Sequence, residues 1–350
     1  MKMTEQGGQI KQNSGTKRLI LSLIAGLVFF GLLSAYFVFG KSFASEKFLV
    51  KVRPNMAYEA VEGQLSDKAN FGSMFFFSVL SQTFGYEKNI KVGCFEVKPG
   101  NSVWNVFQRI RKGRQTPVRL TFNNIRTREQ LAGRFAQQLM LDSVTLVNAF
   151  SNADSCAKWG LTPETIVVLF IPDTYEMYWD ISYNRFMEKM QKEYNRFWTA
   201  SRLAKAKEVG LTPVEIATMA SIVEEESNNK AERPAIAGLY LNRYRIEMPL
   251  QADPTVKFAV KDFSLRRILF EHLTVESPYN TYKVTGLPPG PIRVPSKDGI
   301  DAVLNYQKHD YLFMCANADF SGRHAFARNM AEHSVNAKRY REELNKRGVK

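Results

Sequence analysis

The chain has 350 residues, 45% of them apolar and 12% aromatic, enough for two domains with their own cores and incompatible with a disordered polymer. Its 48 basic against 34 acidic residues give a net charge of +14, which suits an anionic polymer or an anionic membrane surface. No basic run with interleaved aromatics, no zinc-finger spacing and no RNP-like strand is present, so nucleic acid is not an expected partner.

From Leu19 to Gly40 the chain carries no charge and is bracketed by Lys17-Arg18 and Lys41. As a helix this run is about 33 Å long, enough to cross a hydrocarbon core of about 30 Å, so residues 19–40 are expected to be a transmembrane helix. Ser42-Phe43-Ala44 superficially resembles a signal-peptidase site, but the apolar run exceeds the length of a signal peptide. Lys2, Lys11, Lys17 and Arg18 before the span balance Lys41, Lys47, Lys51 and Arg53 after it, so charge leaves the orientation open.

Beyond the span, Phe48 to Val52 and the stretch from Ile90 to Val97 have the alternation of strands, and 57–65 and 72–83 read as helices. Phe95 to Phe107 is a strand, a Pro99-Gly100 turn and a helix opening at Ser102, with Val103, Val106, Phe107 and Ile110 on one face. This unit resembles the first half of a LysM glycan-binding module, and a plain βα unit would show the same pattern. Val118 to Phe122 is a further strand, Thr127 opens a helix toward Met140, and Asp142 to Phe150 is another. Phe170 to Glu176 reads as a strand broken at Pro172, and Ile181 to Lys207 as one long amphipathic helix.

Thr212 to Asn229 is the stretch with chemical potential. Thr212, Pro213 and Glu215 form a capping-box start, and the helix ends in Glu224-Glu225-Glu226. On a helical wheel Glu225 faces water, at about 180° from Ile216, while Glu224 at about 80° and Glu226 at about 280° border the buried arc. Glu224 lies beside Ala217 and Ala220, which leave room for a ligand, and Glu226 beside the bulkier Met219 and Ile222. A half-buried carboxyl has a raised pKa and can act as a general acid, so one of these border glutamates is a candidate catalyst. Adjacent glutamates diverge by about 100° and cannot chelate one ion, and the four histidines lack zinc-ligand spacing, so no metal or other cofactor is expected. Cys94, Cys156 and Cys315 lie far apart without a CxxC pair and read as small apolar residues. A second helix over about 232–244 leads to Gln251-Ala252-Asp253-Pro254-Thr255, and Ser277 to Ile292 is a proline-bearing loop rich in amide, phenol and hydroxyl groups suited to sugar recognition.

Ala220-Ser221-Ile222-Val223-Glu224-Glu225-Glu226, Leu241-Asn242-Arg243, Met248-Pro249-Leu250-Gln251-Ala252-Asp253-Pro254-Thr255-Val256, Tyr279-Asn280-Thr281-Tyr282 and Gly286 to Ile292 occur in that order. Together they resemble the motif series of the MltG-type (YceG-like) endolytic murein transglycosylases. Phe170 to Tyr175 resembles that family's Phe-Pro-Asp-Thr-Tyr element, and residues 94–122 its LysM-like subdomain. The likeness covers roughly residues 45–340; Glu225, where the family often has lysine, and Asn305-Tyr306 and Arg293-Val294-Pro295 depart from it. It implies an α+β fold with a tail over 1–18 in the cytoplasm, the span over 19–40, a membrane-proximal α/β region with a LysM-like subdomain over 41–125, and a catalytic domain over 126–350 outside the cytoplasm at the bacterial inner membrane. It implies cleavage of the β-1,4 bond between N-acetylmuramic acid and N-acetylglucosamine in nascent peptidoglycan strands, leaving 1,6-anhydro ends and ending elongation, with peptidoglycan synthases as candidate partners. By motif and wheel, Glu224 is the acid and then the base, while Glu226, Gln251, Asp253, Thr255, Asn280, Tyr282, Tyr175 and His324 orient it or bind sugar. A muramidase of the same bond, a glycan-binding scaffold without turnover and a cytoplasmic DNA-binding membrane protein are the rival readings.

Overall fold

The computed structural model describes residues 14–265 and 267–347. The tail expected over residues 1–18 therefore falls outside the described residues as far as residue 13. The fold is mixed helix and sheet, and the chain divides into two compact units, residues 1–118 with 178–180, and residues 119–177 with 181–350.

The first unit begins with α1 (Ser14–Ala35), continued by a π-helical turn over Tyr36–Gly40. The run Lys17–Gly40, with mean hydropathy 2.3 and none of it buried, is long and apolar enough to cross a membrane. β1 (Phe48–Val52) pairs antiparallel with β2 (Gly93–Val97), Val50 opposite Phe95. Helices α2 (Tyr58–Ser66) and α3 (Ser73–Thr83) connect the strands, and α4 (Val103–Arg111) follows, its start fixed by Ser102 accepting from the Asn105 amide. Val50, Val52, Phe77, Phe95 and Phe107 form the core of this unit, each worth about 1.5–3 kcal/mol of burial.

In the second unit β3 (Val118–Thr121) pairs with β4 (Thr174–Met177), and α5 (Arg128–Gln138), α6 (Ser143–Ser151) and α7 (Ala153–Ala157) lie between them in sequence. β4 starts only after Pro172, where a donor missing from the backbone no longer matters. The single helix expected over 181–207 is two helices, α8 (Tyr183–Phe197) and α9 (Ala200–Val209). Thr199 breaks it: its backbone is extended and its hydroxyl accepts from the Arg202 amide as an N-cap. The break turns Arg202 toward Asp301, which it holds with two bonds of 2.9 Å.

α10 (Pro213–Glu226) has the anticipated capping box, with the Glu215 amide donating to Thr212 Oγ1 at 3.3 Å and the Thr212 amide donating to Glu215 Oε2 at 2.7 Å. It stops at Glu226 because Ser227 is extended. Every residue from Ile216 to Glu224 is buried, because α9, α11 (Arg233–Arg245), α12 (Asp253–Val260) and α14 (Lys297–Leu304) all pack against this helix. Between α12 and α14 lies the short α13 (Phe270–Leu273). The chain then forms a hairpin, β5 (Phe313–Ala316) antiparallel to β6 (His324–Ala327), and ends the described part in α15 (Met330–Lys346).

Candidate active site

The C-terminal end of α10 delivers Glu226 to a cavity of about 220 Å³, lined also by Tyr240 and Arg243 of α11, Gln251 and Asp253 before and at the start of α12, Tyr282, and Cys315 and His324 of the hairpin. Tyr240 donates its hydroxyl to Glu226 Oε1 at 2.8 Å, which fixes the carboxyl's direction. Burial pushes Glu226 up to about 7, and the negative charge of Asp253 adds to the rise against the Tyr240 hydrogen bond and the positive charges of His324 and Lys257. A carboxyl with that pKa is present in both protonation states near neutrality, as an acid that must later act as a base requires.

The loops around Glu226 are held from beneath. Gln251 sits at φ 51°, and its amide donates to the Thr281 carbonyl at 3.0 Å. The Thr255 and Thr281 hydroxyls lie 2.8 Å apart, and Thr255 donates to the Ala252 carbonyl at 2.7 Å. Thr255 is thus a buried staple between the two loops, away from the cavity lining. Asn280 is equally buried: its side-chain amide donates to the carbonyls of Leu273 and Val275, both at 2.9 Å, and its oxygen accepts from the Tyr282 amide. That sets Tyr282, whose hydroxyl donates to Asp253 Oδ1 at 2.6 Å. Burial pushes the phenols of Tyr240 and Tyr282 up, so both stay donors at neutral pH. His324 is oriented by Glu232, which lies 2.9 Å from its ring Nδ1 and accepts from its backbone amide at 2.6 Å. Glu232 also accepts from Ser227, the residue after Glu226, so the hairpin is pinned to the end of α10.

Glu224 does not stand at the edge of a ligand cleft as the wheel suggested. Its side chain is 2% exposed, and its carboxylate accepts from Arg233 Nη1 at 3.0 Å and the Ser296 amide at 2.9 Å, and also from the Ser296 hydroxyl. Arg293 Nε stands 3.7 Å away. The flank it occupies is filled by α14: a Cβ on Gly299 would stand 2.5 Å from the Glu224 carboxyl carbon. The room left by small residues on α10 is taken by protein. Glu225, placed in water by the wheel, is 13% exposed and clamped between Arg126 and Arg293, each at 2.8 Å. Both corrections have one cause, that α10 is enclosed on nearly all sides, so a two-faced wheel does not describe it.

Tyr175 is also a support. It is buried, stacks on Phe122 with ring centroids 5.9 Å apart, and donates to the Ile171 carbonyl at 2.6 Å. The structure therefore brings together Glu226, Gln251, Asp253, Tyr282 and His324, and leaves Glu224, Thr255, Asn280 and Tyr175 outside the lining. Tyr240 and Glu232 are the residues that sequence reasoning passed over, and Arg243 stood only in the Leu241-Asn242-Arg243 motif without a role. Arg243 reaches the Leu250 carbonyl at 2.9 Å and Gln251 Oε1 at 3.3 Å, so it shapes the floor. The usable signal was their place on the helix after α10, where long polar side chains are buried among apolar ones. A larger cavity, about 460 Å³, lies by the far end of α12 with Arg128, Glu129, Phe258 and Tyr279 in its wall. Burial raises Glu129, but its backbone and Thr127 hydrogen bonds and the charges of Arg128 and Lys261 outweigh that and hold it below the ordinary range, so Glu129 is not an acid at neutral pH.

A family model described as the YceG-like family matches residues 50–339. The chain is 37% identical over 164 residues to the endolytic murein transglycosylase of Bacillus subtilis, covering 46% of this chain and 44% of that protein. It is 25% identical over 362 residues to the endolytic murein transglycosylase of Streptococcus pneumoniae, covering 90% of this chain and 64% of that one. The chain thus matches less than two thirds of the length of either relative. A crystal structure of a yceG-like protein from Listeria monocytogenes superposes with a TM-score of 0.54 at 26% identity, covering 83% of this chain and 99% of that one.

Proposed function

The chain belongs to the YceG-like family, and from that premise we propose that it is an endolytic lytic transglycosylase of peptidoglycan whose acid and base is Glu226. The observation that carries the assignment is one carboxyl held at about 7 in an open cavity, directed by a phenol. Protonated Glu226 gives its proton to the glycosidic oxygen as the bond from the N-acetylmuramic acid anomeric carbon breaks. The sugar's own 6-hydroxyl then bonds to that carbon, and the Glu226 carboxylate takes the hydroxyl proton. The products are a 1,6-anhydro end and a free 4-hydroxyl, with the acid regenerated and no water consumed. Asp253, Gln251, Tyr282 and His324 supply hydrogen bonds to sugar, and the negative charge of Asp253 also favours the cationic transition state.

Asp253 favours one second reading. A carboxylate in the same cavity as a protonated glutamate is the pair a hydrolase uses, Asp253 then activating water. Mass spectrometry of product ends from uncrosslinked glycan decides between the two: anhydro ends support transglycosylation, and reducing ends overturn it. Glu226→Gln is expected to abolish both kinds of product, and retained turnover would overturn the assignment.

The remaining reading follows from this activity. The substrate lies outside the cytoplasm, so the run Lys17–Gly40 anchors the chain in the bacterial inner membrane with its N-terminus inside and residues 126–350 outside as the catalytic domain. Residues 94–122 act as a LysM-like glycan-binding subdomain within the membrane-proximal region 41–125, supported by the β2–turn–α4 order and the Ser102 cap. Cleavage of nascent strands at the membrane would end their elongation and place peptidoglycan synthases nearby.

A further inference from the structure

The end of the apolar helix is packed into the first unit with no linker between them. Across the π-helical turn, Phe37 stacks on Phe76 of α3 with centroids 5.4 Å apart, and Phe39 lies 5.8 Å from Trp104 of α4. Gly72 comes so close to Phe37 that a Cβ there would stand 2.7 Å from the ring. Lys41 Nζ donates to the Phe71 carbonyl at 2.8 Å while lying over the rings of Phe37 and Phe71, at 4.7 Å and 5.7 Å. The helix therefore sets the height of α3 relative to any bilayer that α1 crosses.

At that height α3 shows an apolar stripe. Phe75 and Val79, four residues apart on the helix and hence on one face, are 64% and 44% exposed, and Phe71, just before the left-handed Gly72 that opens the helix, is 89% exposed and lines the same groove as Phe75. A largely apolar groove lined by Phe30, Leu33, Phe37, Phe71, Met74 and Phe75 joins this stripe to the flank of α1. Large exposed aromatics in a continuous patch mark an interaction surface, and here the patch continues the apolar surface of the span itself. We propose that Phe71, Phe75 and Val79 are immersed in the interfacial layer of the bilayer, with lipid acyl chain in the groove, as a second membrane contact that seats the first unit on the membrane. Lys41 sits where an ammonium at the headgroup level belongs, its charge held over the Phe37 and Phe71 rings. The inference rests on α1 being a membrane span, and on neither the activity nor the side of the membrane.

The test uses the full chain in phosphatidylcholine–phosphatidylglycerol nanodiscs, with and without lipid brominated at two depths of its acyl chains, near the headgroup end and near the midplane. Phe75→Trp and, as a marker inside the span, Leu27→Trp are read as differences from the wild type, so the native tryptophans cancel. The expected result is that brominated lipid cuts the added emission of Phe75→Trp at least twofold and that acrylamide leaves it unchanged. Quenching of Leu27→Trp without quenching of Phe75→Trp overturns the inference. Acrylamide access at position 75 would then mean water, and its absence a protein partner on the stripe. If neither variant is quenched by brominated lipid, the span reading falls and the inference with it.

Discussion

Replacing Glu226 by glutamine should produce two effects of opposite sign. The carboxyl's pKa is about 7 in the folded chain against 4.5 for an ordinary glutamate. A raised acid pKa means that the folded state holds its proton where the unfolded state has lost it, so stability falls as pH rises from about 4.5 to about 7. Above about 7 the full cost is present. At about 1.4 kcal/mol per pH unit it is at most about 3 kcal/mol, the half-burial of the group making this an upper bound. Glutamine removes that cost and can still accept from Tyr240. The variant should therefore match the wild type near pH 4.5 and exceed it above pH 7, where about 3 kcal/mol corresponds to a Tm gain of about 6–12 °C for a unit of this size. Thermal unfolding of both proteins at pH 4.5 and pH 8 measures the gap, and turnover of uncrosslinked glycan should fall by about 100-fold or more. Equal Tm values at both pH values would refute the raised pKa, and unimpaired turnover would refute the catalytic role.

Glu224→Gln should do the reverse. It leaves Arg233 buried without its carboxylate, at a cost of about 3–5 kcal/mol, so Tm drops while kcat per folded molecule at low temperature stays within about threefold; active-site titration of folded enzyme separates the two. The bond donated by Tyr240 favours the charged carboxyl, so Tyr240→Phe should move the alkaline limb of the kcat/KM profile up by about one pH unit, and an unmoved limb would show that the phenol does not govern the acid. Thr255→Val removes the buried staple beneath the cavity and should cost about 1–3 kcal/mol in denaturant unfolding.

Local chemistry was legible wherever a short stretch of chain decides its own structure. The Thr212-Pro213-Glu215 start of α10, the Ser102 start of α4, the β1 and β2 strands and the uncharged run after Arg18 all lie close to where their residues place them. Caps, strand alternation and span length need only neighbours in sequence. The break at Thr199 was equally local, but a hydroxyl at that position is compatible with both a continuing helix and a cap, and the buried Phe197 and Trp198 decide for the cap.

The choice among Glu224, Glu225 and Glu226 was not local. A wheel assigns faces, yet it cannot know that α14 fills one flank with Gly299, that Arg126 and Arg293 reach Glu225, or that Tyr240 and the β5–β6 hairpin open a cavity at Glu226. By itself the sequence determined the family, the apolar span and the run of glutamates that ends the central helix. Only the tertiary structure decided that Glu224 and Glu225 are ion-paired and that Glu226 faces a cavity with a raised pKa. A carboxyl's pKa is set by the charges, donors and solvent that distant segments bring within a few ångströms of it.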